Sequence, residues 1–129
     1  MADFKSIRCA YASCDPEDID DGVVAVPAAS DRIYNVVDCW LRSTGNVETA
    51  TSVDVTDTSG TVSVGVFTAA GLTNGKILRA GTATTGVCAG LLSDLTAGEG
   101  ILVKTVGSDI ATSTAVEYCI LYTIDPVHN

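Results

Sequence analysis

Three kinds of residue in this chain could do chemistry, and none is arranged to do it. The one histidine, His128, sits next to the last residue and beyond Pro126. Nucleophilic catalysis requires a base within hydrogen-bond reach of the nucleophile, and a histidine in a tail that proline has broken from its strand is not held that way. Carboxylates are plentiful but crowd into one segment, Asp15-Pro16-Glu17-Asp18-Ile19-Asp20-Asp21-Gly22. Acid and base carboxylates of the glycosidase kind must flank a substrate at fixed separation, which one flexible loop does not provide. The segment also lacks the alternating ligands and distant glutamate of an EF-hand calcium loop. Its carboxylates repel one another if packed, with Asp31 adding to the charge, and Pro16 and Gly22 interrupt regular structure, so the run reads as a solvated hinge. The third kind is cysteine. Cys9, Cys14, Cys39, Cys88 and Cys119 are odd in number, irregularly spaced and without a C-x-x-C pair, which indicates neither a zinc site nor a redox motif. Buried, reduced thiols are expected, with a late Cys9–Cys14 or inter-subunit bond as the exception. No catalytic, metal-binding or cofactor-binding residue is assigned, no cofactor is expected, and the chain reads as a non-enzyme.

The elements that would have to position a site are better defined than any site. Val53 and Val55 alternate with Asp54 and Thr56, and Val62, Val64 and Val66 alternate with Ser63, Gly65 and Phe67. A period of two marks half-buried strands. Thr58-Ser59-Gly60 between them has the composition of a tight hairpin. Val23-Val24-Ala25-Val26 is a short strand stopped by Pro27. The run from Arg32 to Arg42 fits a helical stripe through Ile33, Val36, Val37, Trp40 and Leu41, yet its β-branched and aromatic density and its flanking Pro27 and Gly45 make it a strand. Further strands are predicted at 76–79, 101–106 and 115–124, the last long enough to be central. Turns fall at 69–75, 80–86 and 95–100, with Gly75 and Gly98 at positions that require positive φ. Repeated short strands of this kind give an all-β, single-domain antiparallel β-sandwich, jelly-roll-like, or a partly open barrel. An N-terminal arm and acidic hinge, 1–21, precede the body, 22–129.

Composition narrows the partners. Lys and Arg number 7 against 16 Asp and Glu, a formal charge of −9, so the phosphate backbone of nucleic acid is an unsuitable partner. No apolar run approaches the ~20 residues that cross a bilayer, and the N-terminus lacks the apolar segment of a signal peptide, so neither a membrane partner nor export is expected. Apolar residues make up 47% of the chain while aromatics are 5%. The expected core is therefore thin, as in a two-layer sandwich.

Val23-Val24-Ala25-Val26-Pro27-Ala28-Ala29, Gly71-Leu72-Thr73-Asn74-Gly75, the run from Leu95 to Lys104 and the closing Tyr118-Cys119-Ile120-Leu121-Tyr122 together resemble small β-sandwich virion proteins of tailed bacteriophages. Capsid decoration, or cement, proteins are the nearest kind, and the resemblance covers Val23 to Ile124. It implies a structural protein made in the host cytoplasm and located on the outer capsid surface. There it would bind the major capsid protein, bridge capsid subunits and self-associate as a homotrimer. The segment before the hinge carries Phe4, Ile7 and Tyr11 beside Lys5 and Arg8, apolar anchors with local positive charge on an acidic protein. These five residues are the expected partner-binding set, unless the segment simply pairs as the first strand of its own sheet. The alternative function is a receptor- or carbohydrate-binding module of a phage fibre or tail. It would use Trp40 and Tyr34 as a stacking platform, although a single Trp in an apolar run is expected in the core.

Overall fold

Alternation of side chains along the strands decides which of them meet. A computed structural model describes residues 6–45, 50–68, 76–80, 88–90, 95–110 and 115–126. Within them the elements are β1 (Arg8–Cys14), α1 (Pro16–Asp21), β2 (Val23–Val26), β3 (Arg32–Ser43), β4 (Ala50–Asp57), β5 (Ser63–Thr68), β6 (Ile77–Arg79), β7 (Cys88–Gly90), β8 (Ile101–Gly107) and β9 (Val116–Pro126). Two antiparallel sheets result, one in the order β1-β9-β3-β6 and the other in the order β2-β8-β4-β5-β7. The pairs β1 with β9, β2 with β8, β3 with β6 and β4 with β5 are nested inside one another along the chain. With the three-residue β7 set aside at the sheet edge, eight strands remain in jelly-roll order. The expected sandwich is therefore present, with two separate sheets in place of the alternative barrel, and β9 is central as its length implied.

The two inner faces supply a core of modest side chains. Tyr34, Val36, Cys39 and Leu41 of β3 meet Val53 and Val55 of β4, Phe67 of β5, Val103 of β8 and Ile120 of β9 in one buried cluster. Phe67 is the largest fully buried side chain, and the others of that class are Ile, Leu and Val. Gly65 lies beneath the Phe67 ring, where a Cβ would come within 2.8 Å of it. Gly100 allows a still closer approach, since a Cβ there would stand 2.1 Å from the Val26 carbonyl oxygen. Gly98 adopts φ 84°, as its turn composition predicted.

Polar side chains tie the β4–β5 hairpin to the loop before β8. Asp57 is fully buried, and its carboxylate accepts hydrogen bonds from the Thr61 N–H at 2.7 Å, the Ser59 hydroxyl at 3.1 Å and the Thr96 hydroxyl at 2.7 Å. Burial alone would raise its pKa, but these bonds and one from the Val62 N–H outweigh it and hold the carboxyl below its ordinary value. Thr58 extends the tie by donating to Glu99 and accepting from the Gly100 N–H at 3.1 Å.

Several expectations are corrected. The acidic run is not a solvated loop: 16–21 form α1, with Pro16 opening the helix and Glu17 and Asp18 in its first turn. Ile19, its one large aliphatic side chain, is fully buried in the core, and the Asp20 carboxylate accepts from the Ile110 N–H at 3.0 Å. Burial of Ile19 outweighs the repulsion among the surrounding carboxylates, which remain at the surface around it. The segment before α1 is the first strand of its own sheet, since β1 pairs with β9 over seven residue pairs. Residues 8–21 are thus bonded into the body and are not a detached arm. Cys9 and Cys14 stand five positions apart on that extended strand, about 16 Å, too far for the bond considered between them. The strand β7 had no sequence signal. Phe4, Lys5, His128 and the turns at 69–75 and 81–86 lie outside the described residues.

Candidate functional site

Exposure of large apolar side chains concentrates on the outer face of the β1-β9-β3-β6 sheet. Alternation sends Ala10 and Ala12 of β1 toward the core and leaves Cys9, Tyr11 and Ser13 on the outside. Pairing then aligns Tyr11, Cys119, Trp40 and Arg79 in one row across all four strands. Tyr11 is 59% exposed and Ile77 of β6 is 61% exposed, while Ile7, just before β1, is 63% exposed. The rings of Tyr11 and Trp40 lie 6.3 Å apart, tilted by 60°, across the strand that carries Cys119. A β-bulge in β3 adds to this surface: Val36 pairs with Tyr122 and Asp38 with Leu121, so Val37 has no partner and turns outward, 43% exposed.

Charges on this face are paired. Arg79 grips Asp38 with two hydrogen bonds, Nε to Oδ1 at 2.9 Å and Nη2 to Oδ2 at 2.6 Å. Those bonds, aided by the Cys39 N–H, hold the Asp38 carboxyl below its ordinary pKa against the opposing effect of burial. Arg42 lies 3.6 Å from Glu117 on the neighbouring strand. The four strands carry Arg8, Arg32, Arg42 and Arg79 against Asp38, Glu117 and Asp125, a balance of +1. With the whole chain at −9, every other residue together carries −10. The sheet is thus near neutral within an acidic protein, with apolar and aromatic side chains between its ion pairs. Arg and aromatic side chains are the types enriched at protein–protein interfaces, and all four arginines of the chain lie in this sheet.

Two of the residues expected to bind a partner, Ile7 and Tyr11, are exposed on this face, whereas Arg8, also exposed, shares the alternation of Ala10 and Ala12 and leaves the sheet on its other side. Sequence reasoning missed Val37, Ile77 and Leu121, which reach the same face from other strands. Alternation within the 115–124 run offered a signal for Leu121, whereas the bulge that turns Val37 outward leaves no mark in the sequence. Trp40, expected in the core, is half-buried on the outer face. Tyr34 is no platform: it is 3% exposed and its hydroxyl donates to the Pro27 carbonyl at 3.2 Å. Among the described residues, no three of His, Cys, Asp and Glu come together as a metal site, and no helix is long and apolar enough to cross a membrane.

No protein-family model and no curated protein matches the chain. Solved structures do. A chain from the acidic stable capsid structure of Helicobacter pylori bacteriophage KHP30 aligns with a TM-score of 0.51 at 17% identity, over 98% of this chain and 97% of that one. This protein has the fold of a bacteriophage capsid chain. A chain of the cyanophage Pam1 capsid asymmetric unit aligns with a TM-score of 0.45 at 16% identity, over 95% of this chain and 89% of that one.

Proposed function

We propose that the protein is a virion structural protein that binds the outside of a bacteriophage capsid and stabilises the shell by bridging capsid subunits. The observation that carries this reading is the near-neutral, aromatic outer face of the β1-β9-β3-β6 sheet on an otherwise acidic jelly roll. The fold shared with a capsid chain supports it. A neutral apolar face can be desolvated against another protein at little electrostatic cost, while the charge elsewhere keeps the free protein soluble. The partner is the major capsid protein, with self-association into a homotrimer that presents several such faces to the shell at once and gains from multivalency. The reading needs no reaction, and its location is the outer capsid surface after synthesis in the host cytoplasm.

Co-sedimentation with shells assembled without the protein tests it. Saturable binding is expected for the native chain, and Tyr11→Asp and Ile77→Asp are each expected to weaken it at least tenfold without altering the melting temperature by more than a few degrees. Both side chains point to solvent, so their loss removes contact area and not core packing. Native-level binding by both variants, or no binding by the native chain, would sink the proposal. A second reading, a carbohydrate-binding module of a fibre or tail, draws on the Tyr11–Trp40 ring pair at the surface. A glycan-dependent change in Trp40 fluorescence, with no affinity for shells, would favour it.

A further inference from the structure

The first and last strands of the fold bring two thiols together. Cys9 on β1 and Cys119 on β9 are 110 positions apart in sequence, yet their Sγ atoms are 3.3 Å apart. Both are free thiols, Cys9 exposed and Cys119 buried, and both belong to the outer face of the sheet. They sit diagonally across adjacent strands, since Cys9 pairs with Leu121 and Cys119 with Tyr11. A disulfide bond is about 2.05 Å long, so the sulfurs must approach by roughly a further 1.2 Å. The side chain of Cys9 has room to supply that movement, because it is exposed on an edge strand with one neighbour.

We propose that Cys9 and Cys119 are a modification site at which a small-molecule disulfide, of the glutathione disulfide class, installs a bond that clamps the first strand to the last. The exposed Cys9 thiolate attacks one sulfur of the oxidant and expels a thiolate, leaving a mixed disulfide on Cys9. Cys119 then gives its proton to solvent, attacks the Cys9 sulfur and expels the second thiolate. The two cysteines lose two electrons and two protons, and the oxidant disulfide becomes two thiols. Burial, followed by the hydrogen bond and charge of Cys9, pushes the Cys119 thiol up to about 11, which makes Cys9 the thiol that reacts first. Cys14 is buried at the opposite end of β1 and takes no part. The bond would close a loop spanning most of the chain, which removes much of the freedom of the unfolded state.

The test treats the full chain with glutathione disulfide, maps cross-links by peptide mass spectrometry without reduction, and records the melting temperature. The expected result is an intramolecular Cys9–Cys119 bond and a melting temperature higher by roughly 5–15 °C, reversed by a thiol reductant. Cys9→Ser, a substitution at an exposed position, is expected to fold as the native chain does and to show neither effect. A glutathione adduct that persists on Cys9, a bond to any other cysteine, a disulfide-linked dimer, or a mapped Cys9–Cys119 bond with no thermal shift would each overturn the proposal.

Discussion

Asp57 shows how one side chain can organise a turn and set an acid limit on stability. It is fully buried, and its carboxylate serves donors from two segments. Because its pKa is lowered on folding, the unfolded chain takes up the proton first as pH falls. The stabilisation from Asp57 is thus fully present above pH about 4, the ordinary range of an Asp carboxyl, and is lost as pH drops through the lower folded value. Asp38, also lowered, acts in the same direction through its bonds to Arg79. Asp54 acts against them, since burial raises its pKa despite a hydrogen bond from Ser52. Urea unfolding across a pH series should show Asp57→Asn destabilised by about 1–3 kcal/mol at pH 7, the cost of a buried network left mismatched. Its loss of stability below pH 4 should be shallower than that of the native chain. An acid limb as steep in the variant as in the native protein would assign the effect to other carboxylates.

At the scale of the element, β1 and α1 separate what the sequence made legible from what it hid. The strands at 53–56 and 62–67 could be placed from the side-chain period, and so could the hairpin at Thr58-Ser59-Gly60, but a register shift between β4 and β5 puts Val64 and Phe67 in the core and leaves Val66 half-buried. The helix α1 was hidden because its dominant signal is charge, while its docking rests on two buried side chains, Pro16 and Ile19. Pro16 also reads equally well as a breaker or as the first residue of a helix. The strand β1 was ambiguous for another reason. Its inward residues Ala10 and Ala12 are small, so apolar alternation is weak and the larger Ile7 and Tyr11 mark the outer face instead. The candidate site was legible only where it coincides with β1; the rest depends on which strands become neighbours, which no local pattern encodes. Deleting 1–14 therefore removes a sheet strand along with an anchor. A lower urea midpoint and a stability loss of several kcal/mol are expected, since β9 would lose its partner along residues 116–122. An unchanged midpoint would show the segment to be dispensable for folding.

For the whole molecule, the separation of a near-neutral sheet from the −10 carried elsewhere sets the response of association to salt. Copies that meet through this face must still bring two acidic bodies together, and that repulsion is screened over a Debye length of about 8 Å at 0.15 M salt. Sedimentation equilibrium should show self-association strengthening between about 0.02 and 0.3 M salt. Weakening over that range would mean that attractive ion pairs between copies carry the contact. The nesting of strand pairs has a further consequence, for the timing of folding. β9 lies between β1 and β3, and it leaves the ribosome after both of them. Until it emerges, among the described residues β1 has no sheet partner and β3 has only the three-residue β6 beside it. The sheet that presents the aromatic face is consequently completed last during synthesis, and a nascent chain keeps that surface unformed until the final strand is in place.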